Sequence, residues 1–186
     1  MSIAERPTLH GKTILLRPPK PSDKADRLRC GRDPEAHRMY GGDTRTNPPF
    51  TADDAERWYA KEVGDPLRWV IEFEGRAIGG IHLHSLDTTD RRARLAIGIF
   101  DATCWGQGLG TDAVRSILAH AFDTLHLHRV DLRVLTFNHR AIACYEKCWF
   151  VQEGIEREGA WIAGEWETDV MMSILEQEYR ASQGAS

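Results

Sequence analysis

Apolar residues recur at every second position in three segments of the first half of the chain. In RWVIEFEG (68–75) the bulkiest apolar side chains alternate along the segment, which is the period-two pattern of a strand. Gly75 begins a turn into RAIGGIHLH (76–84), and ARLAIGIF (93–100) is a third, mostly apolar run, as expected for a strand covered on both faces. The pattern predicts that the three segments form a meander.

Shorter signals precede this meander. TILLRP (13–18) predicts a first strand, which the following prolines end, and Ser22 or Asp23 is placed to cap a helix after it. Thr51 is a second helix cap, for a helix that runs through Val63. Two helices are therefore expected between the first strand and the meander.

The hydrophobic period changes in the second half of the chain. Apolar side chains form one stripe at helical spacing, which predicts a helix through about Leu125, and Asn138 can cap another helix to about Cys148. The stripe consists of Ala113, Val114, Ile117, Leu118, Ala121, Phe122 and Leu125. The remaining strands are predicted at 130–137, 150–158 and 167–175. The order of elements predicts an α+β fold, a mixed sheet with helices on its faces.

Composition adds limits on domain count and partners. The 186 residues are 41% hydrophobic, enough for one sizeable core, and we expect one domain over 1–179 and a disordered tail over 180–186. The formal net charge of −4 gives no broad positive field, which argues against nucleic acid as a partner. No window approaches the roughly 20 apolar residues of a membrane span, and no signal-peptide pattern begins the chain, so we expect a cytoplasmic protein without a membrane partner.

A glycine-rich stretch, CWGQGLGTDAV (104–114), leads into the helix of the apolar stripe. Gly106, Gly108 and Gly110 follow a strand and precede a helix N-terminus, where backbone N–H groups and the helix dipole attract an anion. The stretch lacks the lysine of a P-loop and has Thr111 where a dinucleotide fingerprint needs Gly or Ala. Two interpretations stay open at this level, the floor of a phosphate pocket and a plain turn into a helix.

Three segments together resemble the GNAT N-acetyltransferases, specifically the branch of the ribosomal-protein-alanine acetyltransferases. They are WGQGLGTDAV (105–114), NHRAIACYEKCWFVQEG (138–154) and EREGAWIAGEWETDVMMSIL (156–175). The resemblance implies a GNAT fold, with a central mixed, mostly antiparallel sheet of about six to seven strands, a V-shaped opening and about four flanking helices. It also implies that acetyl-CoA binds in the opening as a co-substrate, with the glycine stretch as the floor for its diphosphate.

The same resemblance assigns residues to acetyl-CoA. It implies that the backbone amides of Ile99 and Phe100 hold the pantetheine and acetyl group, and that Asn138 holds the pantetheine arm. Amides of the loop and of the first helical turn would hold the diphosphate. The residues of this loop are Gly106, Gln107, Gly108, Leu109, Gly110 and Thr111.

Acetyl transfer also needs an acid and a base. Tyr145 matches the family's tyrosine that protonates the CoA sulfur, and a phenol with a pKa near 10 is protonated at pH 7. The glutamate base of many relatives is absent, because Ala96 occupies the matching position. His82 and His84 share one face of a predicted strand, and we predict that one of them relays the amine proton. Asp101 is a further candidate base.

The expected acceptor is a primary amine, either a small molecule or the N-terminus of a protein or peptide, which attacks acetyl-CoA directly in a ternary complex. The spacing of cysteines and histidines predicts no metal site. The acid-rich segment 51–65 suits a cationic amine if it lines the acceptor mouth, and is otherwise a solvated helix face. A homodimer is common for proteins of this resemblance. Two alternatives stay open, a catalytically weak acyl-CoA-binding regulatory module, suggested by Ala96, and another kind of nucleotide-binding enzyme.

Overall fold

The computed structural model describes residues 6–184, which form one eight-stranded sheet and six α-helices. The strands are β1 (Leu9–His10), β2 (Leu15–Arg17), β3 (Arg68–Phe73), β4 (Arg76–Asp87), β5 (Arg92–Ile99), β6 (Arg129–Leu135), β7 (Val151–Ile162) and β8 (Glu165–Leu175). The helices are α1 (Asp23–Cys30), α2 (Pro34–Met39), α3 (Ala52–Gly64), α4 (Leu109–Ala119), α5 (His139–Glu146) and α6 (Glu176–Gln183). Within residues 6–184 none of the helices combines the length and the apolar character that crossing a membrane requires.

The sheet opens between β5 and β6. Its order is β1-β2-β3-β4-β5-β6-β8-β7, and every neighbouring pair is antiparallel except β5 and β6. These two strands run parallel and pair only between residues 92–94 and 129–131. Beyond these positions they diverge toward Ile99 and Leu135, which leaves backbone groups on the facing edges without a strand partner. The meander of β3, β4 and β5 and the mixed, mostly antiparallel sheet with a V-shaped opening are confirmed.

The core lies between α4 and one face of the sheet. Ile117 and Leu118 of α4 are fully buried and belong to the same hydrophobic cluster as Ile81 and Leu83 of β4. Burying one such side chain contributes about 1.5–3 kcal/mol, so the apolar stripe predicted from the sequence holds α4 against the sheet. The glycine loop immediately before α4 is thereby held at the mouth of the opening.

Two helices and one strand are additional to those predicted. α2 has only six residues, too few to show a period, and its signals are the Asp33 cap and Pro34 in the first turn. α6 extends into the segment predicted as a tail, and Tyr179, one residue before that segment, stacks on Phe122. Residues 185–186 of that predicted tail lie outside the described residues. β1 has two residues, too few for alternation to identify it, whereas β2 lies within the strand predicted at 13–18.

Asp112 joins the N-terminal segment to the first turn of α4. Its carboxylate accepts hydrogen bonds from the backbone N–H groups of Lys12 at 2.8 Å, Thr13 at 2.7 Å and Ile14 at 3.3 Å. Partial burial raises the pKa of Asp112, but the hydrogen bonds from Lys12 and Thr13 outweigh this effect, so the pKa lies below its ordinary value. The ionised form therefore stabilises the folded chain.

Replacing Asp112 by Ala is expected to lower the free energy of unfolding by about 1–2 kcal/mol at pH 7, because three backbone donors lose a charged acceptor. The folded-state pKa is depressed, so this advantage is present above the unfolded-state pKa of about 3.9 and disappears as the pH falls through the lower folded-state value. Urea unfolding at pH 7 and at pH 3 measures both effects. Asp90→Ala, at an exposed turn residue, is the control, and equal stability of the two variants at pH 7 would contradict the prediction.

Candidate functional site

A cavity of about 290 Å³ lies at the divergent ends of the central strands. Its walls are the end of β5, the glycine loop, the first turn of α4 and the inner face of α5. Among the described residues that line it, Arg140 and Lys147 are cationic and none is a carboxylate. The cavity therefore suits a ligand that carries negative charge.

The glycine loop ends in a helix N-terminus with free backbone donors. Gly106 and Gly108 have φ angles of +74° and +80°, a left-handed conformation that glycine adopts without strain. The first amide of α4 with a helical acceptor is that of Asp112, which donates to the carbonyl of Gly108 at 3.0 Å. The amides of the three preceding residues have no acceptor within the helix and are available to an anion. These residues are Leu109, Gly110 and Thr111.

Gln107 and Gly110 contribute to this loop in different ways. The Gln107 side chain folds back, and its Nε2 donates to the carbonyl of Thr103 at 2.8 Å. A Cβ at Gly110 would make ordinary contacts of 3.7 Å with Cys144 Sγ and Ile99 Cδ1. The available space therefore admits a small side chain at Gly110.

The end of β5 presents one of its two expected amides to the opening. The Phe100 N–H donates to the carbonyl of Ile78 at 2.7 Å, so the expected role of this amide in binding the pantetheine or acetyl group is wrong. Successive N–H groups of a strand point to opposite edges, and the Ile99 N–H accordingly faces the divergent side, toward β6. The carbonyl of Ile99 accepts a hydrogen bond from Trp105 Nε1 at 3.1 Å, which holds the loop to the strand.

Asn138 and Tyr145 enter the cavity from α5. The Asn138 Oδ1 accepts from the N–H of Ala141 at 3.2 Å and caps the helix, while its Nδ2 has no acceptor among residues 6–184. Tyr145 is 7% exposed, and its ring lies 5.8 Å from that of Phe150. Burial, and next the neighbouring Tyr40, raise the pKa of Tyr145, so the phenol stays protonated at neutral pH.

Tyr40 and Arg140 are site residues that the sequence analysis missed. A Cβ at Gly98 would overlap the Tyr40 hydroxyl, so this hydroxyl lies directly on the backbone of β5. Burial of its hydroxyl group raises the pKa of Tyr40. The Arg140 guanidinium lies 4.0 Å from the ring centroid of Trp105. The only sequence signal for Tyr40 is a glycine within a strand, which often marks a close approach of another group.

The two predicted histidines lie outside the lining of this cavity. His82 pairs with Ala96, on the sheet face that carries Gly98 and the Tyr40 hydroxyl, about 7 Å along the strand from Gly98. His84 pairs with Arg94 and therefore lies about 14 Å along the strand from Gly98. The structure therefore brings only His82 near the opening.

The His82 ring is partly buried and lies near the charge of Arg68. Burial, and next the charge of Arg68, lower the pKa of His82 to about 4, so its ring is uncharged at pH 7.

The carboxylate of Asp101, the further candidate base, already has a local partner, because its Oδ1 accepts a hydrogen bond from the Thr103 N–H at 3.1 Å. Within residues 6–184, no group of three or more His, Cys, Asp or Glu side chains is placed to hold a metal ion.

Comparisons with known proteins identify the architecture. A family model described as an acetyltransferase (GNAT) domain matches residues 13–151. The chain is 31% identical over 129 residues to YdaF of Bacillus subtilis, whose name proposes a ribosomal N-acetyltransferase, and the match covers 68% of this chain and 67% of that one.

Solved structures agree with this match. The spermidine N-acetyltransferase of Vibrio cholerae, in complex with CoA and spermine, has a TM-score of 0.74 and 25% identity over 90% of this chain and 98% of that chain. A GCN5-related N-acetyltransferase from Brucella melitensis has a TM-score of 0.83 at 19% identity, over 97% of this chain and 84% of that one, which shows a common fold.

Proposed function

The chain belongs to the GNAT family of acetyl-CoA-dependent N-acetyltransferases, and we propose that it transfers the acetyl group to a primary amine by direct attack in a ternary complex. The observation that carries the proposal is the row of free amides at the start of α4, beside a cavity lined by cations and by no carboxylate of the described chain. Membership in this family excludes another kind of nucleotide-binding enzyme.

The cavity fits the chemistry of CoA, which is an anion at its diphosphate and apolar along much of its arm. We assign the diphosphate to the amides of Leu109, Gly110 and Thr111, where each hydrogen bond to a charged oxygen contributes roughly 1.5–3 kcal/mol. The free Nδ2 of Asn138 is assigned to the pantetheine arm. The bound co-substrate supplies an activated acyl group as a thioester.

Two groups of the chain act on the reacting atoms in this proposal. The Ile99 N–H stabilises the negative charge that develops on the carbonyl oxygen of the acetyl group. Tyr145 holds a proton at its Oη for the departing sulfur, and its raised pKa keeps the phenol protonated at neutral pH. The amine approaches along the face of β5 that carries Gly98.

The acceptor is a primary amine in this proposal. The solved Vibrio relative is a complex with spermine, and the name of the Bacillus relative refers to ribosomal substrates. An α-amine with a pKa near 8 has a larger neutral fraction at pH 7 than a lysine amine near 10.4. A test panel therefore needs polyamines, peptide N-termini and small α-amines.

Calorimetric titration with acetyl-CoA, CoA, NAD and ATP tests the ligand, and release of CoA with the amine panel tests the reaction. We expect the two CoA ligands to bind selectively, and at least one primary amine to cause release of CoA. Folded protein that carries no copurified CoA and binds neither CoA ligand would overturn the proposal. Selective CoA binding without turnover of any amine would favour the regulatory module suggested by Ala96.

We predict that His82 relays the amine proton through a water molecule. His82→Ala is expected to lower kcat/KM by about 10-fold or more, because a positioned base contributes at least this much, and to remove the part of the acid-side fall in kcat/KM that protonation of this ring near pH 4 causes. His84→Ala is the matched control, since His84 lies two residues further along the same strand. A wild-type pH profile and rate for His82→Ala would show that the amine loses its proton without this ring.

A further inference from the structure

A second cavity of about 250 Å³ adjoins the first. The two cavities share Ala36 and Tyr40 as wall residues, and the Tyr40 hydroxyl lies on Gly98. Phe100, the residue after β5, lines the second cavity. This cavity therefore lies beside the strand end at which, under the proposed function, an amine meets the acetyl group.

Arg27 is an unpaired cation in the wall of this second cavity. Its guanidinium carbon is 3.7 Å from the ring centroid of Phe50 and 4.4 Å from that of Phe100. Nη1 donates to the carbonyl of Gly31 at 2.6 Å, and Nε is buried without an acceptor in the part of the chain that the structure describes. Burial lowers the pKa of Arg27, although a guanidinium remains charged at any physiological pH.

The two arginines of residues 6–184 that are fully buried have carboxylate partners. Arg17 contacts Asp23 at 2.7 Å, and Arg68 contacts Glu62 at 3.2 Å. Arg27 forms no ion pair with any residue between 6 and 184. Because a partly buried cation without a counter-charge costs free energy, an anion in this cavity would recover an interaction that the protein alone does not make.

Two acids on neighbouring elements, Asp33 in the wall of the second cavity and Asp54 in the first turn of α3, already have other partners. Asp33 accepts the N–H of Ala36 at 2.8 Å as the cap of α2, and Asp54 caps α3 and lies 3.6 Å from Arg32. A second buried donor lies near Phe100, although it is not one of the residues that line the second cavity. The Nε1 of Trp58, whose ring packs edge-on against Phe100 at 6.0 Å, has no acceptor among residues 6–184.

We propose that the second cavity binds the acceptor through a carboxylate that pairs with Arg27. The acceptor is then a small primary amine that carries its own carboxylate, and an α-amino acid with an apolar side chain fits the aromatic walls of Phe50 and Phe100 best. This inference rests on the proposed function, because it places the acceptor of the acetyl transfer. A polyamine is disfavoured, since its cationic groups would face Arg27, and the one carboxylate among the described lining residues, Asp33, already caps α2.

Equilibrium binding of L-phenylalanine, L-phenylalaninamide and spermidine to the full chain tests this proposal. Calorimetry is carried out with the wild type, Arg27→Met and Arg29→Met, and acetyl-CoA is titrated into the same samples. Met keeps an unbranched apolar side chain but removes the charge. Arg29→Met is the matched control, because Arg29 lies on the same helix, is partly exposed and does not line the second cavity.

The wild type is expected to bind phenylalanine about 10- to 100-fold more tightly than its amide, the range of a hydrogen-bonded charge pair. Arg27→Met is expected to remove this preference, Arg27→Lys to retain part of it, and Arg29→Met to leave it unchanged. The proposal is overturned if phenylalanine does not bind, if the amide or spermidine binds as tightly, or if Arg27→Met keeps the preference. A wild type that prefers the carboxylate ligand but does not bind acetyl-CoA would overturn the proposed function alone. Intact acetyl-CoA binding in Arg27→Met shows that this variant is folded.

Discussion

Tyr145→Phe is expected to lower kcat by about 100-fold or more, with little change in the Kd for acetyl-CoA. The substitution removes only the hydroxyl, while the buried ring keeps its packing against Phe150. In the proposed reaction this hydroxyl holds the proton that the departing sulfur takes. Rates of CoA release at saturating acetyl-CoA and amine, together with calorimetric Kd values, separate the loss of turnover from a loss of binding.

Tyr179→Phe is the control for this prediction. Tyr179 is also buried, and its hydroxyl donates to Asp123 at 3.0 Å, away from the cavity. This variant is expected to lose some stability and to keep its kcat. If Tyr145→Phe keeps the wild-type kcat while the chemical step limits the rate, the sulfur takes its proton from another source, and Tyr145 only fills the wall of the cavity.

Gly110→Asp is expected to weaken acetyl-CoA binding by about 100-fold, because a carboxylate in the first turn of α4 competes with the diphosphate for the same amides. A Cβ at this position meets only ordinary contacts of 3.7 Å. A negative charge near a helix N-terminus is also favourable for the helix, so Tm is not expected to fall. A variant that binds acetyl-CoA more weakly but keeps its Tm is folded, so the two measurements together separate a damaged diphosphate site from misfolding.

Gly110→Asn is the matched control, because Asn has nearly the shape of Asp without its charge. It is expected to bind acetyl-CoA far more tightly than Gly110→Asp, and the difference should shrink as salt is added. Equal Kd values for the two variants would mean that the diphosphate binds away from the first turn of α4. Calorimetry and thermal unfolding of both proteins supply the required values.

Periodic segments of the fold were predictable from the sequence, and short ones were not. The apolar stripe of α4 and the alternation of β3 to β5 each extend over enough residues to reveal their period. α2 has six residues and no period, although it carries Tyr40 into the site through its C-terminal end. A close approach such as that of Tyr40 to Gly98 depends on the packing of distant segments.

The direction of backbone groups limited the site prediction in a second way. Ile99 and Phe100 are neighbours in a motif, and their amides were expected to act together. Their N–H groups point to opposite edges of the strand, and the Phe100 N–H already donates to the carbonyl of Ile78. His82 and His84 likewise share a face, but the spacing along β4 brings only His82 close to Gly98.

The sequence by itself determined the family, the position of the glycine loop before a helix and the lack of a glutamate at Ala96, since these depend on residue types at fixed spacing. The tertiary structure decided which backbone amides face the opening, that Tyr40 lies on Gly98, and that Arg27 is partly buried without a carboxylate partner. Burial, ion pairing and the splaying of β5 from β6 arise from contacts between segments far apart in the chain. Such contacts leave no local pattern, because they depend on how the packed elements lie against one another.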